Sequence, residues 1–129
     1  MLTSACCPSK VISCDSETVI QEVATLMRLH HVNHVAITGK AGQTVPLGIV
    51  TEHAIVTEVL GADLDARTMT AGDIMYASVL RVQAYAELSE TLNLMRMYQV
   101  QHVSVLSSDG DWLGIVTMND IFELLVEDI

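Results

Sequence analysis

The chain has 129 residues, half of them apolar, a length that suits one domain or two small units with a shared core. Six Lys and Arg residues stand against 16 Asp and Glu residues, so the formal net charge is −10. This balance argues against binding to nucleic acid or to an anionic membrane surface, because both depend on clustered basic side chains. No apolar run reaches the roughly 18 residues of a membrane span, and the N-terminus lacks a signal-peptide pattern. We therefore expect a soluble, cytoplasmic protein.

One phrase occurs twice, and the repetition organises the chain. Residues 47–51 read Leu-Gly-Ile-Val-Thr, and residues 113–117 read the same. Residues 11–35 align with residues 79–103 at an offset of 68 positions, whereas the two phrases align at an offset of 66. The difference falls in the predicted turn before each phrase, where a change in length is easily absorbed. The sequence therefore predicts two copies of one structural repeat.

The first copy reads as strand, helix, strand, turn, strand, helix. Its predicted strands are residues 11–14, 34–38 and 47–50. Asp15 or Ser16 is expected to cap the first helix, and Gly61 to end a second helix at residues 52–60. Steps of three and four residues predict the buried face of the first helix, which is Val19, Ile20, Val23, Ala24, Met27 and His30. The turn between the last two strands is marked by Gly39, Gly42 and Pro46.

The second copy follows a polar linker that contains a predicted helical turn at residues 71–75. It has a predicted strand at residues 80–83, helices at 86–99 and 118–127, and a hairpin turn at 107–111 signalled by Asp-Gly. The predicted buried face of its first helix is Leu88, Leu92 and Met95, with Tyr98 as a further candidate. We place the first repeat at 1–60, the linker and lead-in at 61–78, and the second repeat at 79–129. The predicted class is α+β, with pseudo-twofold symmetry and two sheets that pack face to face.

Both copies of the phrase end in a threonine at a predicted strand-to-helix junction. The hydroxyl and backbone N–H of Thr51 and Thr117 are expected to be free there, beside helix N–H groups that lack partners. Such a corner suits a hydroxyl-rich or anionic ligand. The alternative is that Thr117 and Asp120 simply cap the last helix, since both residue types are common at helix N-termini.

Catalytic and metal sites find little support in the sequence. The chain has three cysteines, Cys6, Cys7 and Cys14. Their number is odd and their spacing is not that of a zinc site, so we interpret them as small apolar side chains. Cys14 and His34 could form a thiolate pair, but no third residue orients them. His30, His31 and His34 invite a metal interpretation, but His34 begins a strand, which breaks helical spacing. We predict no catalytic residue and no metal ligand.

The doubled Gly-hydrophobic-Val-Thr phrase, which opens a helix about 30 residues after an amphipathic helix, resembles the cystathionine-beta-synthase (CBS) domain. Two copies joined by a short linker resemble a tandem CBS pair. Residues 71–75, Ala-Gly-Asp-Ile-Met, are similar to the lead-in that this family often carries before a repeat. The resemblance covers nearly the whole chain. It implies a regulatory module rather than an enzyme, one that binds adenine nucleotides or adenosyl compounds between its repeats.

The resemblance also implies which residues hold the ligand. In this family a small hydroxyl residue, two free positions and an aspartate hold the ribose hydroxyls. Thr117 and Asp120 match this signature, whereas Thr51 is followed by Ala54 at the aspartate position. Hydrogen bonds to a carboxylate contribute about 1.5–3 kcal/mol each, so the loss of two costs roughly two to four decades of affinity. We therefore expect one competent site, in the second repeat, and a degenerate site in the first.

The base of the ligand is implied to pack largely against the other repeat. The implicated positions are Ile12, Val32, Asn33, His34, Ile115 and Val116. Residues 30–33 and 98–101 contain no Lys or Arg, although the family often places a phosphate-binding cation there. Candidate effectors are therefore AMP, ADP, ATP and S-adenosylmethionine, of which the triphosphate fits least well.

Two interpretations follow from the sequence and the resemblance. The first is a sensor that binds an adenosine-containing ligand and signals to an attached or partner enzyme, channel or transporter. In this interpretation the exposed helix faces of the repeats pair two chains into a homodimer. The second is a dimerisation or docking module that binds no ligand, which Ala54 and the missing phosphate-side cations favour.

Overall fold

The structure is a computed structural model that describes residues 1–7, 11–39, 46–76 and 80–127. It divides into two compact units. The first-repeat unit is Ile12–Ser78, and the second-repeat unit combines Met1–Val11 with Val79–Ile129. The predicted Gly42 of the first hairpin turn lies outside the described residues. Within them, no helix is both long enough and apolar enough to span a bilayer.

The first-repeat unit carries one mixed sheet and helices. Its elements are β1 (Ser13–Asp15), α1 (Ile20–His30), β2 (His34–Thr38), β3 (Gly48–Thr51), α2 (Glu52–Ile55) with a π-helical continuation at Val56–Leu60, and α3 (Ala71–Ile74). β2 pairs in parallel with β1 and antiparallel with β3. Thr51 therefore passes directly from the end of a strand into the first turn of a helix.

The second-repeat unit has the same order. Its elements are β4 (Leu80–Gln83), α4 (Leu88–Tyr98), β5 (His102–Leu106), β6 (Trp112–Thr117) and α5 (Met118–Glu127), preceded by a 3-10 helix at Thr3–Cys6. β5 pairs in parallel with β4 and antiparallel with β6. The predicted α+β class and the repeated β-α-β-β-α order are confirmed, while the predicted domain boundaries stay predictions.

Each unit has its own apolar core between helices and one face of its sheet. The first core consists of Ile20, Val23, Met27, Val35, Ile37, Val50, Val59 and Ala71. The second core consists of Cys6, Val82, Leu88, Met95, Val103, Val105, Val116 and Ile121. Because side chains alternate along a strand, Ala36 of β2 and Ser104 of β5 lie on the sheet face away from these cores.

The predicted cap of α1 is wrong. The helix begins after Val19, which makes no side-chain cap. Asp15 instead closes a turn, since its Oδ1 accepts from the Glu17 N–H at 2.8 Å. The linker replaces the missing cap, because its carbonyl oxygens accept from the first N–H groups of α1, at 2.8 Å from Ile20 and 3.0 Å from Gln21.

Two predicted buried faces also need correction. Ala24 of α1 is exposed and His30 is half-buried, while Tyr98 of α4 is largely exposed. Thr91 is fully buried in α4, where its hydroxyl forms a 2.7 Å hydrogen bond with the hydroxyl of Thr3. A periodicity argument based on apolar residues passes over such a threonine.

The N-terminal segment, residues 1–7, had no predicted structure. It packs on the second-repeat unit, where Leu2 forms an isolated antiparallel β-bridge with Glu87 and the Cys6 side chain is part of the core. The linker makes the matching contact in the first-repeat unit, since Thr70 forms an isolated antiparallel β-bridge with Val19. Both members of one bridge stand 68 positions from those of the other, so the two segments are equivalent parts of the repeat.

Candidate functional site

The candidate site is the junction between β6 and α5. A glycine precedes the threonine in both copies of this junction, and each glycine is needed for a different reason. Gly114 of β6 has φ of +155°, a conformation that disfavours a side chain. Gly48 of β3 instead lies against the Tyr76 carbonyl oxygen, where a Cβ atom would collide. Each phrase therefore needs its glycine before the threonine.

At each junction the threonine hydroxyl caps the helix that follows. Thr117 Oγ1 accepts from the Asp120 N–H at 3.0 Å, and Thr51 Oγ1 accepts from the Ala54 N–H at 3.1 Å. In the second-repeat unit the bond is reciprocal, because Asp120 Oδ2 accepts from the Thr117 N–H at 2.9 Å. Thr117 and Asp120 thus form a capping box, the alternative considered from the sequence.

The expectation of a free hydroxyl and free N–H groups at these corners is wrong. The Thr117 N–H is held by Asp120, and the Met118 N–H donates to the Gln101 carbonyl oxygen at 2.9 Å. At the other junction, the Glu52 N–H donates to the Asn33 carbonyl oxygen, also at 2.9 Å. These carbonyl groups come from the neighbouring strand turn, which a local sequence pattern does not show.

The capping box leaves part of the corner available. A carboxylate has two oxygens and about four lone-pair sites, and the cap occupies one of them. Asp120 is half-buried, and its Oδ1 makes no hydrogen bond to any described residue. The Thr117 hydroxyl accepts in the cap and keeps its own proton to donate. The corner therefore still offers an anionic acceptor and a neutral donor to a ligand.

The first-repeat junction lacks the carboxylate. Thr51 keeps the threonine half of the cap, while Ala54 is buried and contributes no polar group. The contrast with Asp120 agrees with the sequence, and the degenerate character of this position stays a prediction.

The residues predicted to surround the base are distributed over both units. Ile12 and Val32 pack against the core of the first-repeat unit, and the His34 Nδ1 atom lies 3.1 Å from Asn33 Oδ1. Ile115 and Val116 are fully buried in the second-repeat unit. Val116 belongs to the core beneath the helices, so its side chain is engaged there. The assignment of these residues to a base pocket stays a prediction.

Two thiols that the sequence did not connect with Asp120 belong to its surroundings. Burial raises the pKa of Cys6 and Cys7, and the Asp120 carboxylate raises both further. Burial also raises the pKa of Cys14. A protonated thiol is a poor nucleophile and a poor metal ligand. Among the described residues, no three His, Cys, Asp or Glu side chains are placed to hold one metal ion.

Comparison with known proteins places the chain in a family. A family model for the CBS domain matches residues 6–61 and again residues 71–127. The chain belongs to the CBS domain family. The predicted tandem CBS pair is therefore confirmed, and such pairs are regulatory modules.

Two curated relatives are similar to this chain in sequence. Hypoxic response protein 1 of Mycobacterium tuberculosis is 35% identical over 117 residues, which are 90% of this chain and 80% of that protein. An uncharacterized protein of Methanopyrus kandleri is 31% identical over 109 residues, 84% of this chain and 54% of that protein. The chain thus spans about half the length of the Methanopyrus relative.

Solved CBS structures resemble the chain closely in fold. A structure of Hypoxic Response Protein I with two coordinated zinc ions has a TM-score of 0.77 at 30% identity, over 95% of this chain and 98% of that one. A CBS domain protein from Pyrobaculum aerophilum complexed with AMP has a TM-score of 0.82 at 22% identity, over 98% and 99% of the two chains. At that identity the likeness concerns the fold alone.

Proposed function

We propose that the chain is a regulatory CBS pair that senses a small adenosine-containing ligand through Thr117 and Asp120. The observation that carries the proposal is the half-buried Asp120 carboxylate, which has one oxygen in the helix cap and the other without a partner among the described residues. Such an oxygen can accept hydrogen bonds from the two vicinal hydroxyl groups of a ribose. The Pyrobaculum protein has the same fold and is complexed with AMP, so an adenine nucleotide is a ligand that a protein of this fold can hold.

Charge narrows the ligand class. The chain carries a net charge of −10, and residues 30–33 and 98–101 supply no Lys or Arg for phosphate. A triphosphate would bring several further negative charges to this surface, whereas AMP brings fewer and S-adenosylmethionine is cationic at its sulfonium. We therefore place AMP and adenosyl compounds ahead of ADP and ATP.

The proposed module is cytoplasmic, forms a homodimer and signals to an enzyme, channel or transporter domain that is attached to it or binds it. It is not itself an enzyme. The raised pKa values of the three thiols support this point, because they disfavour a cysteine nucleophile. Hypoxic Response Protein I has two coordinated zinc ions, whereas among the described residues of this chain no three His, Cys, Asp or Glu side chains are placed to hold a metal ion. The proposal therefore includes no zinc.

A thermal melt with a ligand panel tests the proposal. AMP, ADP, ATP and S-adenosylmethionine are added separately to the wild-type chain and to Asp120→Ala. A ligand at about 100 times its Kd stabilises the folded state by roughly 2.7 kcal/mol, which amounts to several degrees in a domain of this size. We expect AMP or S-adenosylmethionine to raise the wild-type Tm, and the shift to be lost in Asp120→Ala.

A second candidate is a dimerisation or docking module without a ligand. The closed capping box at Thr117 and Asp120 and the alanine at position 54 favour it, since both give the signature residues a purely structural explanation. A wild-type Tm unchanged by every member of the panel would support this candidate and contradict the sensor.

A further inference from the structure

The sheet of the second-repeat unit carries a buried hydroxyl group that the fold does not use. Ser104 lies in the middle of β5, only 1% of its surface is exposed, and its Oγ atom has no hydrogen-bond partner among the described residues. Buried polar side chains of folded proteins are nearly always hydrogen-bonded, so an unpaired one needs an explanation. A side chain that lowers stability is often retained because it serves binding.

The strand register places this hydroxyl group beside the candidate site. Val103 and Val116 belong to the core. Because side chains alternate along a strand, Ser104, Ile115 and Thr117 lie together on the opposite face of the sheet. Ser104 pairs with Ile115, which precedes Thr117 by two residues. Such diagonal neighbours on paired strands are about 7–8 Å apart, so a ligand that contacts Thr117 is long enough to reach Ser104 as well.

Exposure decreases from the helix cap towards Ser104. Asp120 is half-buried, 7% of the Thr117 surface is exposed, and Ser104 and Ile115 are more deeply buried. A charged phosphate loses far more free energy than an uncharged base when it leaves water. A nucleotide whose ribose is held by Thr117 and Asp120 therefore points its base, and not its phosphate, towards Ser104.

We propose that the Ser104 hydroxyl group binds the base of the nucleoside whose ribose is held by Thr117 and Asp120. The inference rests on the function proposed above and adds a specificity-determining residue to that site. A hydroxyl group both donates and accepts, so it can pair with a ring nitrogen or with an exocyclic amino group of a purine. Ile115, its partner on β6, adds apolar contact area for the flat base.

The first repeat lacks both polar groups. Ala36 is equivalent to Ser104 at an offset of 68 positions, and Ala54 is equivalent to Asp120 at an offset of 66. Ala36 occupies the same register position in β2 as Ser104 does in β5, so this strand pairing forms without a hydroxyl group. The serine thus occurs in the repeat that has the carboxylate, which supports a role in binding and not in folding.

Titration calorimetry and thermal melts of Ser104→Ala test the inference. We expect the variant to bind AMP and adenosine about tenfold more weakly, a loss of about 1.4 kcal/mol that matches one neutral hydrogen bond. We expect its Tm to rise, because a buried unpaired hydroxyl group is removed. A purely structural role of Ser104 does not predict opposite changes in affinity and stability.

The matched control is Ala36→Ser, which adds a hydroxyl group at the equivalent position of the first repeat. This repeat has Ala54 in place of the carboxylate. We expect a lower Tm and an unchanged Kd for AMP. A weaker affinity for AMP in this control would mean that any change at this sheet position disturbs binding, and it would overturn the inference.

The remaining outcomes separate this inference from the proposed function. If Ser104→Ala binds AMP with the wild-type Kd, the inference is wrong and sensing through Asp120 stands. If the variant binds AMP more weakly but adenosine equally well, Ser104 contacts the phosphate beside Arg81, its exposed partner on β4, and the assignment to the base is wrong. If the wild-type chain binds no member of the ligand panel, the proposed function is wrong together with this inference.

Discussion

Ser104 brings a hydroxyl group into the middle of β5 without a hydrogen-bond partner among the described residues, although only 1% of its surface is exposed. A buried, unpaired hydroxyl costs about 1–3 kcal/mol. Position 36, its equivalent in the first repeat, is an alanine. We expect Ser104→Ala to raise the free energy of unfolding by about 1 kcal/mol in urea melts. The reverse change, Ala36→Ser, should lower it, and a loss of stability in Ser104→Ala would mean that the hydroxyl is paired.

The sequence could identify the residues of the candidate site, but it could not show which hydrogen bonds they make. The spacing of Thr117 and Asp120 predicts a helix cap, and the resemblance to the CBS family implies that the same two residues hold a ribose. The structure contains the cap. Three residues of this corner were missed. The Gln101 carbonyl oxygen accepts from the Met118 N–H, and Cys6 and Cys7 of the N-terminal segment lie near enough for the Asp120 carboxylate to raise the pKa of each thiol. No local spacing connects these residues to position 120.

Among the elements, those with strong periodicity and clear ends were predicted best. The bounds of β2, β4 and α5 agree with the predicted ranges, and the Asp-Gly turn before β6 is present, with φ of +87° at Gly110. The start of α1 was wrong because the linker supplies the capping acceptors. When a distant segment supplies the capping acceptors, the sequence next to the helix start contains no capping residue that would predict them.

The residue that ends α1 and the residue that ends α4 both have a strained backbone conformation. Each helix ends at a left-handed residue other than glycine, His31 with φ of 53° and Gln99 with φ of 55°. Glycine is the usual residue at such a position because a Cβ atom costs roughly 1–2 kcal/mol there. We expect Gln99→Gly to raise the free energy of unfolding by about 0.5–1 kcal/mol. Gln99→Ala keeps the Cβ atom and is the control; an equal gain in both variants in urea melts would contradict the strain.

At the scale of the whole chain, each repeat packs against a segment that lies outside its predicted bounds. The linker packs on the repeat that precedes it, and the N-terminal segment packs on the second-repeat unit. The doubled phrase predicted the two repeats, yet it could not predict this docking. The N-terminal segment has no apolar periodicity, and its contacts join residues more than 80 positions apart.

Thr3 and Thr91 test that docking. Thr3 Oγ1 donates to the Ala86 carbonyl oxygen at 2.9 Å and shares a 2.7 Å bond with Thr91 Oγ1. Removing one partner orphans the other, at a cost of about 1–3 kcal/mol, whereas removing both is nearly neutral. We therefore expect Thr3→Val and Thr91→Val each to destabilise the chain by that amount in urea melts. The double variant should lose clearly less than the sum, and strictly additive losses would contradict the contact.

The proposed function depends most on the second oxygen of Asp120, and calorimetric titration of AMP into two matched variants tests it directly. Asp73 Oδ2 accepts from the Thr70 N–H at 2.9 Å in the lead-in, as Asp120 Oδ2 does from the Thr117 N–H, and no ligand is proposed there. Asparagine keeps an oxygen for the cap at either position but removes the charge, which weakens a hydrogen bond to a ligand by about 1 kcal/mol, or roughly tenfold in Kd. The account predicts roughly tenfold weaker AMP binding by Asp120→Asn, wild-type binding by Asp73→Asn and little change in Tm for either. AMP binding by Asp120→Asn with the wild-type Kd would contradict it.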